Sequence, residues 1–304
     1  MKGIQLKTLT IISEGNEDQG GLAAQSRTHS SASLRQELSF RARMLAKSDG
    51  LLHDSTMGTV PSIIFGKDDR GRHGNFHSDS YAKVCERPEW SRRLSKTHTA
   101  YKRARARADW EWKELDCANS SDALLMNVFC HPDTFSDGRV ATMLGVEADA
   151  VPVFGYKPRT PLQRGRDCTE IDLKLGSLLI EAKLTETGFQ QARPSLIDRY
   201  RDIDEVFDRR DLPASGNAYA GYQLIRGTLA AYATGESFCV LCDGRRADLI
   251  EAWYKVLRAV ISCDLRPRLK LLTWQELASV LPLTLTAFLE DKYGIRGCPN
   301  NRHV

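Results

Sequence analysis

The sequence predicts an α/β fold, a mixed β-sheet sandwiched between helices. Two β-like runs, CTEIDLKL (168–175) and SLLIEAKL (177–184), join across Gly176 in the pattern of a hairpin. After them, helix-length and strand-length segments alternate, which argues for helices layered on a sheet. Apolar residues make up 41% and charged residues 27% of 304 positions, enough for a packed core in one large domain or two small ones and too apolar for wholesale disorder.

The elements follow in order. Residues 1–80 are weakly patterned, apart from SLRQELSFRARMLAK (33–47), where Leu34, Leu38, Met44 and Leu45 lie near one helical stripe. GKDDRGRHGNFHSDS (66–80) is rich in Gly, Asp, Ser and His and reads as a solvated loop. His73 and His77 have i,i+4 spacing there, but the glycines around them argue against a helix and so against a metal-binding pair. In DCANSSDALLMNVFCHPD (116–133), Ser120 or Ser121 caps a helix that ends near Pro132. RVATMLGV (139–146) is a second short helix, and the hairpin follows. LIDRYRDIDEVFDRRD (196–211) alternates charge at helical spacing and is expected to be a surface helix. AGYQLIRGTLAAYATG (220–235) is a helix stopped by Gly235. Strand SFCVLCD, helix RADLIEAWYKVLRAV (246–260), strand RLKLLTW (268–274) and the helices QELASVL and TLTAFLEDKYG complete the chain. No internal repeat is visible.

No apolar run is long enough to span a bilayer, and the N-terminus lacks the apolar stretch and cleavage site of a signal peptide, so the expectation is a cytoplasmic protein with no membrane partner. The eight cysteines are expected to be mostly small buried apolar residues. Cys239 and Cys242 form a C-x-x-C within a strand, where a zinc or redox site would want a loop and a second pair.

A net charge of +4 does not imply a nucleic-acid partner, so the local distribution matters. Between 87 and 107, Arg87, Arg92, Arg93, Lys96, Lys102, Arg103, Arg105 and Arg107 face only Glu89, with Trp90, Tyr101 and Trp110 interleaved or adjacent. Such a run can neutralise phosphates and stack on bases. A solvated helix with snorkelling arginines reads equally from the pattern.

An acid, any residue, then lysine occurs at Glu111–Lys113, Asp172–Lys174, Glu181–Lys183 and Glu290–Lys292. The first and last copies lie in polar, helix-like stretches and are expected to be surface charge. Glu181 sits inside an apolar strand, where a charge is costly unless paired or metal-bound. Alternation puts Glu181 and Lys183 on one face, and Glu170 with Asp172 on one face of the preceding strand. A turn around Gly176 brings Asp172 near Glu181, and two converging carboxylates beside a lysine suit a divalent metal. Cross-strand salt bridges, Lys183 with Asp172 and Lys174 with Glu181, would fit the same pattern on a solvated sheet face. An Asp172–Lys174 active pair lacks a suitable upstream acid on a paired strand.

RDCTEIDLKLGSLLIEAKLTE (166–186) resembles the motif II–III hairpin of the PD-(D/E)xK nuclease superfamily. With WKELDCANSSDALLMNVFCHP (112–132) and LLTWQELASVLPLTLTAFLEDKYGI (271–295), it resembles bacterial restriction-endonuclease-like proteins over about residues 85–296. Isoleucine stands before Asp172 in place of the superfamily's proline, and Gly227 stands four residues after Gln223 where a Q-x-x-x-Y variant would have tyrosine.

The resemblance implies a restriction-endonuclease-like core over 85–304, including the basic segment 87–107, behind an N-terminal extension, 1–84, of unknown role. It implies Mg²⁺, with Mn²⁺ able to substitute, held by the Asp172 and Glu181 carboxylates and the Ala182 carbonyl. Lys183 would orient and help deprotonate the attacking water and stabilise phosphate charge. A further acid is expected from the first core helix, Asp122 or behind it Glu114, although Asp122 also suits plain helix-start charge. Glu170 is a supporting acid or salt-bridge partner, and Gln223 and Arg226 orient the site or grip phosphate, unless they are surface residues of their helix. Arg92, Arg93, Lys96, Lys102, Arg103, Arg105 and Arg107 are the expected DNA contacts. The leading expectation is a DNA endonuclease of phage or plasmid defence, acting as a homodimer or with a partner protein. Its rivals are a non-catalytic nucleic-acid-binding module and an interaction subunit that docks a partner through 1–80.

Overall fold

A computed structural model of the chain describes residues 29–57, 61–98 and 113–298. Its principal helices and core strands are α1 (Ser31–Ser48), α2 (Ser78–Glu86), α3 (Ser121–Phe129), β1 (Pro152–Tyr156), β2 (Ile171–Leu175), β3 (Leu178–Ala182), α4 (Tyr222–Thr234), β4 (Ser237–Cys242), α5 (Ala247–Arg258), β5 (Leu269–Thr273) and α6 (Leu283–Tyr293). The five strands form one sheet in the order β5-β4-β3-β2-β1. β1, β2 and β3 are antiparallel neighbours, whereas β3, β4 and β5 run parallel, so the sheet is mixed as the sequence predicts. Leu175 pairs with Leu178 across a two-residue turn in which Gly176 has φ +56°, a left-handed conformation that glycine adopts without a Cβ clash.

Each sheet face has its own core. On one, Leu173, Leu175, Leu178, Ile180 and Leu241 pack against Leu124, Leu125 and Val128 of α3, Leu34 and Leu38 of α1, and Leu285 and Leu289 of α6. On the other, Ile171, Leu179, Phe238 and Val240 pack against Leu224 and Ile225 of α4 and Leu249 and Trp253 of α5. Each fully buried aliphatic or aromatic side chain contributes about 1.5–3 kcal/mol relative to exposure, so β3, buried at all five positions, is the anchor of the sheet. Cys239 belongs to the first core and Cys242 to the second, on opposite faces of β4, so the pair cannot share one metal. Burial pushes both thiols up to about 12.

Several segments differ from expectation. Residues 196–211 do not make one surface helix. Two single turns, Pro194–Ile197 and Ile203–Val206, flank a stretch whose backbone pairs sideways, with Gln163 N–H donating to Arg199 O and Arg201 N–H to Pro161 O. Ile197, Tyr200, Ile203 and Val206 are buried there. The stretch 66–80 is not wholly a solvated loop: His73, Asn75 and Phe76 are buried, and α2 starts at Ser78 with His77 as its cap. Trp90 is also buried, its indole N–H donating to Pro152 O, so it is not free to stack on bases. Lys292 is 1% exposed and so is not surface charge. Its Nζ donates to Gly74 O and Asn75 Oδ1 and lies 4.4 Å from the Phe65 ring centroid. Strand β1 and helix α2 carry no clean periodicity in sequence. Among the described residues, no helix is long and apolar enough to cross a membrane.

Candidate active site

The site is built where β3 leaves the sheet. The ladder pairs Leu173 with Ile180, and its next step sets Asp172 opposite Glu181. Asp172 Oδ2 accepts the Ala182 N–H at 2.8 Å. Glu181 is 1% and Lys183 5% exposed, on the same face of one strand. The Lys183 ammonium donates to Glu181 Oε1 at 2.6 Å, and Gln223 Nε2 donates to the same oxygen at 2.6 Å. Arg226, one turn along α4 from Gln223, brings Nη2 to 4.0 Å from Glu181 Oε2 while donating to Glu170 O at 2.9 Å. A carboxylate this deeply buried is tolerable only with such company.

Burial, and then the Glu181 charge, push the Asp172 carboxyl well above the usual range, against the pull of Lys183. Burial works against the charge on Lys183, but Glu181, Asp172 and Glu186 outweigh it and raise its pKa above the ordinary value. Lys183 is therefore an ammonium, suited to orient a water and offset phosphate charge rather than to accept a proton.

Asp122, in the first turn of α3, accepts from Arg93 Nη2 at 2.9 Å and Lys96 Nζ at 3.0 Å. Burial would raise its pKa, but the Lys96 and Arg93 charges prevail and lower it. Its charge reaches Asp172 and helps raise that carboxyl. The Ser120 hydroxyl caps the helix, accepting the Ala123 N–H at 3.2 Å, and Asp122 lies in the first turn, where the helix dipole also favours its charge.

Asp172, Glu181, Lys183 and Gln223 are thus brought together, with the Ala182 N–H on Asp172 and Asp122 near enough for its charge to act on Asp172. Lys174 is not: it pairs with Glu236 and lies 4.6 Å from the Tyr156 ring centroid, which removes both the alternative Lys174–Glu181 bridge and the Asp172–Lys174 pair. Glu170 is half-exposed at 3.9 Å from Arg93 and 4.0 Å from Lys157, and Glu114 lies 4.0 Å from His98. Of the basic segment, Arg92 is exposed, Arg93 and Lys96 hold Asp122, and Lys102, Arg103, Arg105 and Arg107 lie outside the described residues.

Sequence reasoning missed the frame behind the site. Glu186 Oε2 accepts the Leu184 N–H and Oε1 the Ser121 hydroxyl, both at 2.6 Å, tying the segment after β3 to the start of α3. Arg246, 0% exposed, donates to Leu184 O at 3.1 Å, Glu186 O at 2.9 Å and Asp248 at 2.8 Å. Trp274 Nε1 donates to Lys183 O at 3.1 Å. Glu186, four residues past the buried strand β3, is a visible signal; Arg246, one of two adjacent arginines, offers none.

The donor set fits a hard divalent cation. Asp172 and Glu181 offer carboxylate oxygens from adjacent strands, and Asp172 Oδ1 accepts no hydrogen bond among the described residues. A cation there would relieve the mutual repulsion that raises Asp172. Residues 51–294 match the model of a protein family described as Restriction Endonuclease associating with ARP. No curated protein and no solved structure matches the chain. The five-stranded mixed sheet flanked by helices is consistent with a restriction-endonuclease-like fold.

Proposed function

Because the chain belongs to the family of restriction endonucleases associating with ARP, we propose that it is an Mg²⁺-dependent endonuclease that hydrolyses DNA phosphodiester bonds in phage or plasmid defence. The observation that supports this best is a buried Glu181 bonded to a charged Lys183 at 2.6 Å, one ladder step past the Leu173–Ile180 pair that brings Asp172 across the hairpin. Mg²⁺, or Mn²⁺ in its place, would be held by Asp172, Glu181 and the Ala182 carbonyl. When bound, the ion lowers the pKa of its water and polarises a phosphoryl oxygen.

The chain's own residues do the rest. Lys183, fixed by Glu181, orients the attacking water and offsets charge as it builds on the phosphate. Gln223 holds the Glu181 carboxylate in one orientation through a 2.6 Å bond. Asp122, kept ionised by Arg93 and Lys96, supplies the further negative charge beside Asp172. Arg92 and the cations from 102 to 107 contact the DNA backbone, whose affinity should fall with salt.

The test is nicking of supercoiled plasmid by the full chain with Mg²⁺, with chelator, and with Lys183→Ala. Cleavage that needs the metal and drops about 100-fold or more in the variant agrees with the reading. Undiminished cleavage by Lys183→Ala overturns it. The family description itself names an association, which favours a second reading: a non-catalytic subunit that works with a partner protein. That reading predicts salt-dependent DNA binding and no metal-dependent turnover.

A further inference from the structure

A second cluster of ligand-type side chains lies away from Asp172. Among the described residues, His77, Asp79 and His131 form the grouping of three or more such side chains whose donor atoms all lie within 4.8 Å of one another. His77 caps α2, Asp79 lies in its first turn, and His131 follows the end of α3. The two imidazole centroids are 4.9 Å apart. Asp79 Oδ2 is 4.0 Å from His77 Nδ1 and 3.9 Å from His131 Nε2.

These distances are too long for hydrogen bonds, and an ion with bonds of about 2.0–2.1 Å would draw the three donors together by several tenths of an ångström or more. His131 Nε2 is fully buried, its side chain 0% exposed, and has no hydrogen-bond partner. A buried polar nitrogen without a partner costs about 1–3 kcal/mol, and this one is aimed at a carboxylate and a second imidazole. His77 Nδ1 accepts the Asp79 N–H at 3.3 Å, a long helix-capping bond that ligation through this nitrogen would replace. His131 Nδ1 accepts the Asp133 N–H at 3.2 Å. Ligation through Nε2 would move the ring proton to Nδ1 and replace the bond from the Asp133 N–H, leaving the nearby Asp133 carboxylate, whose charge acts on this ring, to take the proton's hydrogen bond.

We propose that His77, Asp79 and His131 bind one divalent transition-metal ion of the zinc class. Two imidazole nitrogens and one carboxylate oxygen are the donors such an ion takes, and Asp79, with 57% of its side chain exposed, leaves the fourth position open to water or a further ligand. Burial holds both imidazoles below the usual histidine range, the neutral form that ligation needs. The site is separate from the hairpin. Asp122 opens α3 and His131 lies two residues beyond Phe129, and at 1.5 Å rise per residue the two are on the order of 13 Å apart. The ion would clip α2 to the far end of the helix that carries Asp122. Neither the Asp172 centre nor its activity enters this inference.

The test uses the full chain carrying Asp172→Asn and Glu181→Gln, which silences the hairpin site while keeping side-chain size. Zn²⁺ titration of the metal-stripped protein should give one ion per chain and raise the thermal midpoint as the ion saturates. Co²⁺ should give a visible ligand-field spectrum without thiolate charge-transfer bands. His77→Gln and the exposed Asp79→Asn should each weaken Zn²⁺ by at least about tenfold. Absence of stoichiometric Zn²⁺, thiolate bands in the Co²⁺ spectrum, or unchanged affinity in both variants would overturn the proposal.

Discussion

Replacing Lys183 by Met tests how the site is built. The substitution keeps the length of the side chain and removes its charge. Glu181 has 1% of its side chain exposed and Lys183 7%, at 2.6 Å, so the change strands a buried carboxylate instead of one that water can reach. Breaking a buried pair from one side costs about 3–5 kcal/mol. Gln223 still donates to Glu181 Oε1 and Arg226 still stands 4.0 Å from Oε2, so the lower end, about 3 kcal/mol, is expected. For a domain of this size that is a fall of about 6 °C or more in Tm. Adding Glu181→Gln removes both charges and should restore much of the loss, giving a coupling of about 1–3 kcal/mol in the double-mutant cycle. Urea unfolding of the four proteins at pH 7 measures it. A Lys183→Met loss below about 0.5 kcal/mol, with additive singles, would mean a solvated ion pair and would refute the reasoning.

Three further predictions follow from the packing and the charges. Gly227→Ala should cost about 1–3 kcal/mol in urea unfolding, because the added Cβ would lie 2.3 Å from Cζ of the buried Phe238; the same ring leaves no room for a tyrosine at this position. Arg93→Met should destabilise at pH 7. Asp122 has its folded pKa lowered by Lys96 and Arg93, so its contribution is present above the ordinary 3.8 and lost as pH falls through the folded value, and the gap between variant and wild type should close below that pH. Burial drives Lys292 well below 10.5, so its protonation favours the unfolded chain and wild-type stability should fall by about 1.4 kcal/mol per pH unit from 10.5 down to the folded value; Lys292→Met should abolish that slope in urea titrations across pH.

The parts legible in sequence were those set by local rules. Period-2 alternation and one glycine placed Asp172 opposite Glu181, and Ser120 and Gly235 marked helix ends that the structure keeps. The parts that were not legible depend on partners far along the chain. Nothing near Lys174 announces Glu236, 62 residues on, and nothing in the arginine run says that Arg93 and Lys96 turn inward onto Asp122. Sequence offers His77 only near neighbours such as His73; in space His73 meets Asp116 and His77 meets His131. Lys292 looked like surface charge because charged residues are almost always exposed, and only the fold supplies the Phe65, Phe288 and Tyr293 rings around it.

The claim that Asp172 and Glu181 hold a metal beside Lys183 is tested most directly by soaking crystals of the full chain in Mn²⁺ and measuring anomalous diffraction. The account predicts a peak between the Asp172 and Glu181 carboxylates that vanishes in Asp172→Asn. Saturating Mn²⁺ with no peak there, and Lys183 still bonded to Glu181 in that crystal, would contradict it.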